Sequence, residues 1–147
     1  MNFAVVLAST MMGEDMQIGV ESARAVENKR IFVVDPDEIT RAALQFMLHD
    51  ENETHDIPTL EAALAKSIDW KPDLLILGIG IVSEMGQGIL GELKSGIPGL
   101  AILIVSDAKE LPLAVACLKS GADDLVAKPL TIEIVRGKVD ALLHGKI

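Results

Sequence analysis

Short runs of apolar residues alternate along this chain with stretches in which apolar residues recur every three or four positions. The runs are rich in β-branched residues, as in strands buried on both faces, whereas the periodic stretches are typical of helices that bury one face. We predict five strands from these runs, at residues 30–35, 54–57, 71–80, 100–106 and 124–129. Strands that alternate with helices predict an α/β fold, in which a mostly parallel sheet is covered on both faces.

Five helices are predicted to follow these strands, at residues 39–48, 59–66, 88–94, 111–120 and 131–143. Asp37 and Thr59 are suited to cap the first two helices, and Gly121 is suited to end the fourth. The segment 81–85, which follows the third strand, is predicted to be a loop.

The first 28 residues differ in character from the rest, because they hold four of the six methionines and show only weak periodicity. We interpret residues 1–28 as an N-terminal extension and residues 29–147 as one domain. A chain of 147 residues is long enough to bury a single core without disulfides or a structural metal.

Composition narrows the classes of function. Half of the residues are apolar, but no uncharged apolar run approaches the roughly 18 residues of a membrane span, so we expect a soluble protein without a membrane partner. The single cysteine, Cys117, agrees with a reducing cytoplasm. The chain has 13 basic and 22 acidic residues, and its net charge of −9 argues against binding to nucleic acid.

Several residues with chemical potential stand where the predicted strands end. In an open α/β sheet, ligands bind outside the carboxyl ends of the strands, so these residues form the candidate site. They are Asp35, Pro36 and Asp37 after the first strand, Gly78 after the third, Ser106 and Asp107 after the fourth, and Lys128 with Pro129 at the fifth. Acids, a hydroxyl group and a lysine are thus predicted to converge beside a glycine that offers no side chain.

Four stretches around these strand ends resemble the receiver domain of two-component response regulators. They are Val-Val-Asp-Pro-Asp at 33–37, Pro-Asp-Leu-Leu-Ile-Leu at 72–77, Ile-Val-Ser at 104–106 and Gly-Ala-Asp-Asp-Leu-Val-Ala-Lys-Pro at 121–129. The resemblance covers residues 29–147. It implies a flavodoxin-like fold, in which five parallel strands in the order 2-1-3-4-5 lie between two layers of helices.

The resemblance also implies roles for individual positions. In that family, two acids after the first strand hold Mg²⁺, an aspartate after the third strand accepts a phosphoryl group, and a hydroxyl and a lysine follow the fourth and fifth strands. Asp35, Ser106 and Lys128 match three of these positions. The second acid of the pair is replaced by Pro36, and the phosphoryl acceptor falls at Gly78.

Two further positions depart from the family pattern. The aromatic switch residue of the fifth strand falls at Leu125, and Asp107 replaces the small residue that follows the hydroxyl. These departures, together with the glycine at the acceptor position, predict a degenerate phosphorylation pocket. Lys128 is then expected to pair with Asp35 or with Asp107.

Glycine offers no nucleophile from which an aspartyl phosphate could form. Mg²⁺ binding is expected to be weak or absent, with Asp35 and Asp37 as weak metal candidates, and no other cofactor is predicted. The sequence therefore favours a non-enzymatic pseudo-receiver in a phosphorelay, which acts through protein–protein interaction without being phosphorylated. Two alternatives stay open: a displaced acid such as Asp35 or Asp37 accepts the phosphoryl group, or Gly78-Ile79-Gly80 begins a nucleotide-binding loop.

The segment 111–118 is apolar almost all round, whereas a surface helix of this fold should carry a polar face. Either another chain covers part of it, or its alanines and cysteine simply pack closely on the core. The resemblance implies a signalling partner or a homodimer that binds through the fourth helix, the fifth strand and the fifth helix. The predicted interface residues are Leu111, Leu113, Val115, Leu118 and Ile134.

Overall fold

The structure of the chain, a computed structural model, describes residues 29–145. Its strands are β1 Arg30–Val34, β2 Glu53–Ile57, β3 Leu74–Gly78, β4 Ala101–Ser106 and β5 Asp124–Ala127. All neighbouring strands are parallel, and their order is β2-β1-β3-β4-β5, which confirms the predicted topology. The predicted extension, residues 1–28, lies outside the described residues.

Six α-helices and one short 3₁₀ turn connect and follow these strands within the described part of the chain. They are α1 Glu38–Leu48, α2 Leu60–Ser67, α3 Ile79–Met85, α4 Gly88–Gly96, the turn Ala108–Glu110, α5 Leu111–Ser120 and α6 Ile132–His144. The predicted caps are confirmed: Asp37 and Thr59 accept hydrogen bonds from backbone N–H groups of α1 and α2, and Gly121 ends α5 with φ of 130°.

The loop predicted at residues 81–85 is wrong, because these residues belong to α3. The helix starts directly after β3, with Gly78 as its extended N-cap residue. Ile79, Ile81 and Val82 are all buried against the core. Tertiary packing therefore stabilises a short helix that its own sequence, with a glycine in the first turn, does not favour.

Each face of the sheet has its own core, and β3 lies between the two with all five of its residues buried. α1 and α6 contribute buried side chains to one cluster, and α2 to α5 contribute to the other. This arrangement leaves the carboxyl ends of β1, β3, β4 and β5 meeting at one edge of the sheet. None of the described helices is both long enough and apolar enough to cross a membrane.

Candidate functional site

A cavity of about 310 Å³ opens at the carboxyl ends of the strands, and we call it the acidic cavity. Its wall includes four of the predicted site residues, Asp35, Pro36, Asp107 and Lys128, together with Ile79, Gly80, Ser83, Glu84, Val105 and Glu110. Gly78, Asp37 and Ser106 are not part of the wall. The structure thus brings only part of the predicted site to one place.

Asp35 and Gly78 occupy one space at the base of this site. A Cβ atom added to Gly78 would lie only 2.6 Å from Cγ of Asp35 and still closer to Oδ2. The backbone of Gly78 has φ of −69° and ψ of 140°, a conformation open to any residue. The backbone would thus accept a larger residue at position 78, but the carboxylate of Asp35 would have to move to make room for its side chain.

Asp35 is a buried acid, and one of its two carboxylate oxygens accepts a hydrogen bond from the protein. The residue is 7% exposed, and its Oδ1 accepts a hydrogen bond of 2.8 Å from the backbone N–H of Asp37. No residue of the described chain donates a hydrogen bond to Oδ2. Burial raises the pKa of this carboxyl above its ordinary value, although the Asp37 N–H and the charge of Lys128 oppose that effect.

Lys128 contacts the start of α1, so the predicted pairing with Asp35 or Asp107 is wrong. Its Nζ donates to Oγ1 of Thr40 at 2.9 Å and lies 4.0 Å from Oδ2 of Asp37. The Thr40 hydroxyl in turn donates to the same Asp37 oxygen at 2.6 Å. That hydrogen bond is the main cause of a lowered pKa at Asp37. The buried hydroxyl of Thr40 therefore draws the lysine towards α1 rather than towards the cavity base.

Ser106 is fully buried and does not contribute to the cavity wall. Its Oγ donates at 2.8 Å to the backbone carbonyl of Asp107. The carboxylate of Asp107 accepts a hydrogen bond of 2.9 Å from the backbone N–H of Glu110 and so caps the 3₁₀ turn. The hydroxyl and this acid thus hold the backbone after β4.

Sequence reasoning missed several residues that shape the site, among them Glu110 in the 3₁₀ turn after β4. Ser83 and Glu84 line the cavity because segment 81–85 is helical, which the prediction of a loop hid. Thr40 was missed because it lies 88 positions from Lys128 in the chain. The Asp37 cap was the available signal for Thr40, since a residue three positions after an N-cap faces the capping carboxylate.

The predicted interface residues divide into two groups. Leu111 and Leu113 are half-buried and pack against the core, as does Leu125 at the predicted switch position. By contrast, Val115 is 48%, Leu118 is 40% and Ile134 is 50% exposed. Ala114 and Cys117 are fully buried, so close packing on the core accounts for part of the apolar character of α5. Only its outer side remains open to solvent.

The family whose description is "Response regulator receiver domain" matches residues 31–140 of this chain. The two-component response regulator PhoP of Pseudomonas aeruginosa is 29% identical over 116 residues, which cover 78% of this chain and 52% of that protein. The transcriptional regulatory protein PhoP of Escherichia coli K12 is 29% identical over 120 residues, again covering 78% and 52%. The chain therefore spans about half the length of the curated relatives it matches.

Solved structures of response-regulator domains are also similar to this chain. The receiver domain of NtrX from Brucella abortus superposes with a TM-score of 0.71 at 27% identity, covering 79% of this chain and 99% of that one. A response regulator from Thermotoga maritima gives a TM-score of 0.72 at 19% identity, covering 80% and 98%. The latter similarity concerns the fold alone.

Proposed function

Because this chain belongs to the receiver-domain family of response regulators, we propose that it signals by binding a protein partner without accepting a phosphoryl group. The observation that carries the proposal is the packing of Asp35 against Gly78. The acceptor position has no carboxylate, and the space at its Cα is filled by a neighbouring one. Phosphoryl transfer to an aspartate requires a carboxylate nucleophile held in line with its donor.

Neither displaced acid is well suited to replace the acceptor. Asp37 is the N-cap of α1, and its oxygens accept hydrogen bonds from the Ile39 N–H and the Thr40 hydroxyl. Asp35 has an oxygen that accepts no hydrogen bond from the described residues, but it lies at the end of β1, so it lacks the in-line position of an acceptor at the end of β3. The lysine that would offset the charge of a transferring phosphoryl group points to Thr40 instead.

The residues present do not fit the Mg²⁺ site that the family implies. Among the described residues, no group of three or more His, Cys, Asp or Glu side chains is arranged to hold a metal ion. Position 78 has no side-chain oxygen to offer, Asp37 is engaged by α1, and Pro36 stands between the two acids. Mg²⁺ binds through one or two carboxylates at strict octahedral geometry, and of the two acids after β1 only Asp35 keeps an oxygen free for it.

Nucleotide binding is likewise disfavoured by the surroundings of Gly78 and Gly80. Gly80 lies in the first turn of α3, and the cavity beside it is lined by four carboxylates and one lysine. Such a wall repels phosphate groups. Asp107, which a ribose would need, caps the 3₁₀ turn instead.

The partner surface that we propose is the outer side of α5 with β5 and α6. Val115, Leu118 and Ile134 expose large apolar side chains there, and exposed apolar patches mark sites of protein–protein contact. A homodimer through this surface is part of the proposal.

The test is incorporation of a phosphoryl group from a small acyl phosphate in the presence of Mg²⁺, read from the intact mass of the full chain. We expect the mass to stay unchanged. A stable adduct of one phosphoryl group would overturn the proposal, and peptide mapping would then identify the acceptor.

A further inference from the structure

The acidic cavity carries more negative charge than its own residues neutralise. Four carboxylates line it, from Asp35, Glu84, Asp107 and Glu110, against the single ammonium group of Lys128. Within residues 29–145, the side chains of Glu84 and Glu110 form neither a hydrogen bond nor an ion pair. Lys128 is directed to Thr40 and Asp37, so it leaves these two acids without a counter-charge.

A second and independent observation indicates a ligand at this place. The Asp35 side chain is more than nine-tenths buried and belongs to the cavity wall, and no described residue donates to its Oδ2. Oδ2 is not among the fully buried polar atoms that lack a partner in the described part of the chain, so it is reached from the cavity. A positively charged donor that enters the cavity can therefore form a charge-assisted hydrogen bond with it.

An apolar groove adjoins the acidic cavity. It has a volume of about 320 Å³, and its apolar lining comes from Pro36, Pro58, Leu60, Ile81 and Met85. Pro36 and Glu84 belong to both walls, so the two spaces meet along these residues. Met85 is more than half exposed in the groove, and methionine adapts readily to different apolar partners.

We propose that this double site receives a segment of a protein partner in which an arginine side chain enters the acidic cavity and a neighbouring apolar side chain enters the groove. The carboxylates come from the end of β1, from α3 and from the 3₁₀ turn, so they approach the cavity from different sides. A guanidinium group has five donors spread in one plane and matches such a ring of acceptors. The inference rests on the proposed function, because it names the chemistry of the partner.

The probe is the blocked dipeptide N-acetyl-arginyl-leucinamide, titrated into the ¹⁵N-labelled full chain while amide shifts are followed by NMR. We expect saturable shifts at Gly80, Ser83 and Glu84. The citrulline analogue, which has the same shape without the charge, should bind about tenfold more weakly or worse, because a charge-assisted hydrogen bond is lost. The analogue with alanine in place of leucine should also bind more weakly, because it leaves the groove empty.

Variants of the chain provide a second test of the proposed binding. Glu84→Gln combined with Glu110→Gln should weaken arginine-peptide binding by about tenfold. Glu92→Gln on α4, an exposed residue outside both spaces, should leave it unchanged. Unchanged amide positions elsewhere in the spectrum establish that each variant is folded.

Four results would overturn the inference: equal binding of the citrulline peptide, equal binding of a lysine peptide, unchanged binding by the double variant, or displacement of the peptide by Mg²⁺ at constant ionic strength. The last would make the cavity a metal site. Failure of peptide binding leaves the absence of phosphorylation untouched, whereas a phosphoryl adduct would overturn the proposed function itself, so the two failures are distinguishable.

Discussion

The carboxylate of Asp35 lies over the Cα atom of Gly78, in the space that the Cβ atom of any other residue would need. The missing side chain at the end of β3 and the inward carboxylate at the end of β1 are therefore one packing arrangement. A side chain cannot be restored at position 78 without displacing Asp35. This coupling limits how far an aspartate introduced at position 78 can restore the phosphorylation pocket.

Replacing Gly78 by alanine tests the coupling. The new methyl group overlaps the Asp35 carboxylate, so we expect Gly78→Ala to lower the free energy of unfolding by about 1–3 kcal/mol, as overpacking does in cores. Urea denaturation measures the effect. In the Asp35→Ala background the loss should shrink, with a coupling energy of about 1 kcal/mol or more.

Gly91→Ala is the matched control for this substitution. Gly91 lies in α4, and a Cβ atom there would meet no atom within 4 Å. Because alanine favours helices, this variant should be equally stable or gain up to about 1 kcal/mol. Additive effects of Asp35→Ala and Gly78→Ala would contradict the shared-space account.

The Thr40 hydroxyl is expected to hold Lys128 and Asp37 together. Thr40→Val removes a hydrogen-bond acceptor from the lysine and a donor from the carboxylate, and we expect a loss of stability of about 1–2 kcal/mol. The pKa of Asp37, measured by NMR titration, should rise towards its ordinary value because its main lowering contact is gone. Thr40→Ser keeps the hydroxyl and should change both quantities much less; an unchanged Asp37 pKa in Thr40→Val would refute this role.

The apolar pattern predicts the strands, and the resemblance to receiver domains predicts their order, whereas two local features could not be predicted. β1, β3 and β4 are runs of consecutive buried residues, so hydrophobicity alone indicates them. β2 lies at the edge of the sheet and is half-buried and mostly polar, so its pattern is weak and the predicted strand starts one residue late. α3 is stabilised by burial against distant residues, which no local pattern reports.

Stability should depend on pH through Asp35. Its folded-state pKa is raised above the ordinary 3.8, so the folded chain binds more protons than the unfolded chain in the pH range just above that value. Its contribution to stability is present at lower pH and is lost as pH rises through the raised pKa. Asp35→Asn carries no titrating group at this position, so its stability does not fall with pH for this reason.

We therefore expect the stability of Asp35→Asn relative to the wild type to increase as pH rises from about 4 to 7. Urea denaturation at several pH values measures the difference, and Asp69→Asn, at an exposed turn, controls for removing a charge from an acidic chain. A relative stability that falls over this range would contradict the assigned burial of the carboxylate.

The exposed side of α5 is expected to mediate association. Val115→Glu with Leu118→Glu places charge on open positions, so stability should change by only about 0.5 kcal/mol per site while any dimer dissociates. Light scattering over a concentration series measures the mass. Ile39→Glu is the control, because Ile39 is an exposed residue of α1, which is not part of the proposed surface. Leu113→Glu is a poorer choice, because Leu113 packs on the core. A wild type that stays monomeric throughout would remove the homodimer.

Only those residues of the candidate site that directly follow a strand could be predicted from the sequence. Asp35, Asp107 and Lys128 were placed at the cavity because parallel strands end together. The direction of Lys128 depends on a contact with α1, and the exclusion of Ser106 depends on its hydrogen bond to the neighbouring carbonyl. Such side-chain directions are set by packing and hydrogen bonds that the linear order of residues does not reveal.

The central claim is that this receiver has no phosphoryl acceptor, and the intact mass after incubation with Mg²⁺ and acetyl phosphate tests it most directly. A receiver domain that keeps its acceptor aspartate is the positive control, and Gly78→Asp, alone and with Asp35→Ala, shows whether space limits rescue. We predict an unmodified mass for the wild-type chain while the positive control gains one phosphoryl group. A stable adduct on the wild-type chain, mapped to Asp35, Asp37 or Asp107, would contradict the account.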